Sequence, residues 1–408
     1  MRGFKLRMNS KNGLKNSNKI YRGLALTMIF IILFITLASC STARVHELAE
    51  YDDYGANIAQ DIARNYPIRV AGSEAETATA NYIKGEFAEL GYRYEEQMVS
   101  LSNGSSTNNI IVNIPGKGFV ASESSDEDLD YEVYDRRARP EEGLFHRQVI
   151  VAARYDTDPN AAEGNQGASD NASGVGALLT LAKSLKEYSM GYDIVLIALG
   201  GGWDNYAGAR AYASTMTEDD IWATDVFYEF RSLYSGDRLY SSAGWSSTYP
   251  NQKYRLRQTM YELADLAIDN NVYAYTGEAL YQNQSSLPIP NPLLEEAAPA
   301  GMASARETVV FKEISSTNSD YRVFDQLGIP IVLMESYNFQ GESLDDFVES
   351  VDPNYSSTGN MVRSTAFDNL DSLREFKDAD LLENRINAAA YIVLKGIESG
   401  VIGARTDY

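Results

Sequence analysis

Two stretches constrain the fold more than any others: "VIVAA" at 149–153 and "IVLIAL" at 194–199, each apolar at every position. A strand with one wetted face alternates apolar and polar residues, so runs like these belong to strands covered on both faces. Between them, Val175, Leu178, Leu179, Ala182 and Leu185 recur at helical spacing, predicting a helix over about 171–186. The order repeats: strand 193–199, helix 206–215, strand "DVFYEF" at 225–230. Strand and helix in alternation predict an α/β chain, a three-layer α/β/α sandwich around a central, mostly parallel sheet.

Upstream, "GSEAETATANYIKGEFAELG" predicts a helix with both ends marked. Ser73 and Glu76 have capping-box spacing, Ala80, Ile83, Phe87 and Leu90 share a face, and Gly91 is a stop. The strands "YRYEEQMV" and "NNIIVNIPG" follow. Residues 119–146 are acidic, polar and aperiodic, and read as a solvated excursion between two strands. Further on come a helix near 254–270, a Pro- and Asn-rich loop over 282–300, strand "IPIVLM" and a closing helix over about 379–398. With no internal repeat and no second hydrophobic nucleus, 51–400 is expected to form one domain.

The first 39 residues differ in kind. Arg2, Lys5, Arg7, Lys11, Lys15, Lys19 and Arg22 carry charge with no acid among them, and an apolar run follows from Leu24 to Ala38. That run is short for a membrane span and suits a signal-peptide core. It ends in "LASC", before Cys40, the only cysteine of the chain. The pattern resembles a bacterial lipoprotein signal: residues 1–39 removed, Cys40 acylated, 40–50 a tether, and the protein held at a membrane in the cell envelope, outside the cytoplasm. One cysteine leaves no internal disulfide. Of the 35 basic residues seven lie in the leader, so the remainder carries 28 − 57 = −29, which argues against nucleic acid as a partner.

Five stretches, "RVAGSEAETATANYI", "VIVAARYDTD", "GASDNASGVGALLTLA", "IALGGGWDNYAGARAYAS" and "TNSDYRVFDQLGIP", together with "YEFRSLYSGDRLY" and the late "FDNLDSL", resemble in order and spacing the co-catalytic zinc aminopeptidases, a family that includes bacterial leucyl aminopeptidases, aminopeptidase Y and glutaminyl cyclases. The resemblance spans residues 48–398 and implies their fold and a two-zinc site. It also implies which positions would build that site. A His-x-Asp motif falls on Arg154, Tyr155 and Asp156, and the bridging Asp on Asp170, followed by Asn171 across a cis peptide. The Glu-Glu pair of base and ligand falls on Gly202 and Trp203, a further Asp ligand on Arg231, and the last Ser-Asp-His on Ser319, Asp320 and Tyr321.

One of five ligand positions keeps a family donor. Arginine stays protonated, and glycine and tryptophan offer no side-chain ligand. The base position, Gly202, has no carboxylate to take a proton from water. The two histidines, His46 and His146, lie in the tether and before a strand. The expectation is therefore a protein without zinc and without a catalytic residue of the family type, whose old cleft serves to bind or scaffold a peptide or protein. Arg154 is expected to point at Asp170, with Asp156 as a second acceptor, and Trp203 to occupy the room of a zinc and its water. The alternative is an active hydrolase with a rebuilt site of hard oxygen donors, Asp156, Asp158, Asp170, Asp204 and Asp320, holding Mg²⁺ or Ca²⁺. The two readings differ in whether those carboxylates converge or Trp203 and Tyr321 fill the space.

Overall fold

The computed structural model describes residues 52–121, 143–244, 272–281, 286–290, 307–311, 318–338 and 348–399. The leader, Cys40, the tether and the helix expected near 254–270 lie outside them. Tyr51–Tyr408 forms one compact unit.

The polypeptide enters through helix α1 (Tyr54–Asn65) and α2 (Glu74–Glu89). Ser73 accepts the amide of Glu76, as its spacing predicts, but the Glu76 carboxylate reaches past Ser73 to the amide of Gly72. Gly91 ends the helix at φ +83°, a left-handed conformation that glycine adopts without a Cβ clash. Strands β1 (Glu95–Ser100) and β2 (Ser106–Ile114) follow. The excursion at 119–146 differs from the expectation at its two ends. There β3 (Phe119–Ala121) and β4 (Gly143–Phe145) pair antiparallel, and Phe119 is buried edge-on against Tyr192, with centroids 4.9 Å apart. The aromatic ring anchors what composition alone reads as solvated.

Strand β5 (Gln148–Arg154) leads through an irregular turn at Ala168–Ser173 into α3 (Gly174–Leu185), three residues later than its periodicity predicts. Strand β6 (Asp193–Leu199), α4 (Ala207–Ala213), β7 (Thr224–Arg231) and β8 (Arg238–Ser242) continue the alternation. Two-residue β9 (Leu280–Tyr281) closes the sheet edge. Within the expected 282–300 loop, β10 (Ser286–Pro290) pairs with β11 (Glu307–Phe311) as a separate ribbon, its two prolines at alternate positions. Helix α5 (Tyr321–Gln326), strand β12 (Ile331–Tyr337) and the closing α6 (Leu381–Ser399) complete the fold.

The eight-stranded sheet runs β1-β2-β6-β5-β7-β12-β8-β9, with the four central strands parallel. Helices α1, α3 and α6 pack together, and α3 lies on β5, β6 and β7; α4 and α5 pack against each other, α5 also touching β7 and β12. From β5 the chain goes first to β6 on one side and then to β7 on the other, so the strand order reverses at β5. The crevice at the carboxyl ends of strands flanking such a reversal is where open α/β sheets place their sites.

Along one face the central strands change character from apolar to charged. Ile150 and Ala152 lead to Arg154, Phe227 leads to Glu229 and Arg231, and Ile331 and Leu333 lead to Glu335. Side chains two apart point to the same face, so a continuous apolar core passes into a layer of buried charges at its end. Among the described residues no helix is long and apolar enough to cross a membrane.

Candidate functional site

The turn after β5 carries Asp170. Its retained motif ties strands together: Asn171 Nδ2 donates to the carbonyls of Arg154 (3.1 Å) and Phe230 (2.9 Å), while its Oδ1 accepts the Ser232 amide. One side chain thus clasps the ends of β5 and β7. Ser173 Oγ accepts the Leu233 amide, Ser169 Oγ the Ser235 amide, and the Asp170–Asn171 peptide is cis, as the resemblance implies. The late "FDNLDSL" stretch supplies Asp368, which accepts the amides of Ser169 (2.6 Å) and Asp170 (3.2 Å). Arg69, fully buried, donates to the carbonyls of Tyr66, Tyr155, Gln166 and Gly167. These bonds position the turn.

Around the Asp170 carboxylate stand three guanidiniums. Arg231 Nε lies 3.3 Å from Oδ1, Arg154 Nη2 3.8 Å from Oδ1, and Arg363 Nε 3.7 Å from Oδ2. Arg231 also places Nη2 3.5 Å from Oδ2 and donates through Nη1 to the Asn318 carbonyl (2.8 Å). Burial opposes the charge on Asp170, but Arg231, Arg154 and Arg363 outweigh it and hold the carboxyl well below the usual carboxylate range. Arg363 is anchored separately by Tyr337 Oη (2.6 Å) and Glu349 Oε1 (2.7 Å).

Arg154 points at Asp170 as expected; the other partner proposed for it does not hold. Asp156 accepts the amides of Gly202 (3.0 Å) on Oδ1 and Trp203 (2.9 Å) on Oδ2 and fixes the turn after β6, so each of its oxygens is directed at backbone. Burial pushes it up to about 7 against the pull of Arg154. The room in front of Gly202 belongs to Arg154: a Cβ on Gly202 would lie 2.7 Å from Arg154 Cδ and 3.1 Å from oxygens of Asp156 and Asp320. Trp203 covers the guanidinium, whose carbon lies 5.0 Å from the ring centroid, a cation–π contact. Arginine, with tryptophan over it, fills the space that Trp203 alone was expected to take.

Tyr321 is a correction. Its side chain packs in the apolar cluster with Phe324, Ile150 and Leu333, and its amide donates to Glu229 Oε2 (2.8 Å). The aromatic ring finds more apolar surface in the core than the site offers. Glu229, also bonded by Ser319 Oγ, is pushed up to about 7 by burial and by Asp320. Both oxygens of Asp320 are buried without a hydrogen-bond partner among the described residues.

The five carboxylates of the alternative reading do not meet as a donor set. Asp204 accepts the amide and hydroxyl of Ser102, Asp158 caps the turn at Asn160, Asp156 holds backbone, and Asp170 faces arginines. Among the described residues no group of three or more His, Cys, Asp or Glu is placed to hold a metal ion. Two participants escaped the sequence reading: Arg363, 193 positions beyond Asp170 in a stretch without periodicity, and Asp368, inside a quoted motif but without an assigned role.

This sheet, and a site at its reversal, define the zinc-aminopeptidase and glutaminyl-cyclase class of fold. The family model described as Peptidase family M28 matches residues 137–363, and the chain belongs to that family. It is 23% identical over 349 residues to the alkaline phosphatase isozyme conversion protein of Escherichia coli (strain K12), covering 82% of this chain and 87% of that one. Among solved structures it is similar to the glutaminyl cyclase of Porphyromonas gingivalis, at 15% identity, TM-score 0.53 and coverage of 86% and 99%. It is likewise similar to BSAP, a zinc aminopeptidase from Bacillus subtilis, at 13%, 0.51, 85% and 95%. The side chains at the site do not suit the pair of zinc ions the resemblance implies. Guanidiniums of Arg154 and Arg231 stand at two donor positions, an indole at a third, a core tyrosine at a fourth, and the bridging carboxylate is engaged by cations.

Proposed function

We propose that this M28-peptidase-like protein is a lipid-anchored, extracytoplasmic binding or scaffolding module that does not carry out zinc-dependent hydrolysis. The observation that carries the reading is the ring of Arg231, Arg154 and Arg363 at 3.3–3.8 Å from Asp170. Positive charge that the family draws from metal is supplied here by the chain itself. A guanidinium offers fixed donors to carboxylate oxygens but neither accepts a proton from water nor ligates a carbonyl. Gly202 leaves the position of the catalytic base without a carboxylate. Anchoring rests on the order of charged, apolar and small residues before Cys40.

Metal analysis of the purified protein beside an aminopeptidase assay tests the first part. The expected result is substoichiometric zinc and no release of amino acid, and two zinc ions per chain with turnover would refute it. Metabolic labelling with a fatty-acid analogue tests the second: the wild type should carry label and Cys40→Ser should not, and label retained in the variant would refute anchoring at this residue.

A further inference from the structure

The tip of the β1–β2 hairpin holds an asparagine in a reactive setting. Of the two Asn-Gly pairs in the chain, Asn12-Gly13 lies in the leader and Asn103-Gly104 turns this hairpin, where every residue from Ser102 to Ser105 is exposed. Asn103 Oδ1 accepts two bonds from one neighbour, the Ser105 amide (2.9 Å) and the Ser105 hydroxyl (2.7 Å). A backbone amide only donates, so the atom it meets is the oxygen. Two donors on that oxygen withdraw electron density from Cγ and stabilise the negative charge that develops when a nucleophile adds there. A nucleophile is next in the chain. Gly104 has no Cβ to crowd its nitrogen, sits at φ +85°, and faces open space in which an added Cβ would meet nothing within 4 Å. Its N–H donates to the Leu101 carbonyl (3.0 Å), so attack waits for that bond to open, and an exposed loop tip opens more readily than the sheet behind it.

We propose that Asn103 is a site of spontaneous deamidation and that Ser105 promotes it. The Gly104 nitrogen loses its proton and adds its electron pair to Asn103 Cγ. The Cγ–Nδ2 bond then breaks, Nδ2 leaves as ammonia with a proton taken up from solvent, and a cyclic succinimide remains. Water adds to one of the two ring carbonyls and opens it, giving an aspartate or an isoaspartate. Either product carries a new negative charge, and isoaspartate also lengthens the hairpin backbone. Asp204, beside Trp203, holds Ser102 through its amide and its hydroxyl, both at 2.6 Å, so the change is passed to the turn that covers Arg154.

The test incubates the full chain in detergent at mildly alkaline pH in heavy-oxygen water, then follows residue 103 by mass spectrometry of a protease digest. Each conversion is marked by one solvent oxygen. The wild type should convert at Asn103, while the buried Asn109 and Asn171 stay unchanged. Ser105→Ala removes one of the two donors and should slow conversion about fivefold, whereas Ser105→Thr keeps the hydroxyl and should convert at the wild-type rate. In guanidinium chloride the hairpin is lost, and Ser105→Ala should then match the wild type. No solvent oxygen at residue 103 would overturn the proposal. Equal rates for the folded wild type and Ser105→Ala would overturn the role of Ser105, and faster conversion in guanidinium chloride than in the folded chain would show that the hairpin protects Asn103 instead.

Discussion

Asp170→Asn changes one atom and removes the anion that faces all three guanidiniums. At an effective dielectric of about 20, a unit pair at the 3.3 Å of Arg231 attracts by roughly 5 kcal/mol, and the pairs at 3.7 and 3.8 Å by slightly less. Most of that offsets the desolvation of four buried charges. The net loss on breaking such a cluster is about 3–5 kcal/mol, because the cations remain buried and repel one another. For a compact unit spanning Tyr51–Tyr408 this corresponds to a fall in Tm of about 5 °C. Urea unfolding at pH 7, followed by circular dichroism, measures it, and the wild type should unfold at the same urea concentration with and without a chelator. Were Asp170 instead a bridging metal ligand, the chelator would shift the wild type down to the variant. That result, or an Asn variant as stable as the wild type, would refute the account of Asp170 as an internal counter-ion.

Stability should depend on pH in two opposite ways. Asp170 is depressed, so its contribution is present above the unfolded value and lost as pH falls through the folded one, whereas Asp156 and Asp368, each pushed up to about 7, favour folding below the unfolded value and lose that contribution as pH rises to about 7. Unfolding at a series of pH values should show Asp368→Asn flattening the decline between about pH 4 and 7. Gly202→Ala places a Cβ 2.7 Å from Arg154 Cδ and should destabilise by about 1–3 kcal/mol, an effect that shrinks in an Arg154→Ala background when the double-mutant cycle is measured. Arg154→His should not recruit zinc, as metal analysis would show, since Gly202, Trp203 and Arg231 still offer no donor.

The sheet was legible because its central strands are apolar on both faces, and such runs have few other homes. The positions of Arg154 and Asp170 were legible because "SDNASG" survives whole. The structure gives a physical reason for that survival: Asn171 and Ser173 hold backbone, not metal. What stayed hidden was partnership at long range. Arg363 reaches Asp170 across 193 positions, and nothing in "NMVRSTA" distinguishes it from a surface arginine. Tyr321 misled for the opposite reason: its place in a motif suggested the site, while its ring answered to the core. Asp156 misled because a carboxylate beside an arginine in sequence suggests an ion pair, and two nearby amides took it first.

The tight fit of Arg154 against Gly202 also bears on how such a site can change over generations. A glutamate at 202 finds its room already filled by the arginine, and a smaller residue at 154 leaves Asp170 with one cation fewer. The glutamate stays strained until the arginine has gone, and the loss of the arginine costs Asp170 a counter-charge whichever comes first. A lineage carrying this pair is therefore held in its present arrangement by sterics on one side and charge on the other, and a path of single replacements towards a carboxylate base crosses a less stable intermediate at its first step.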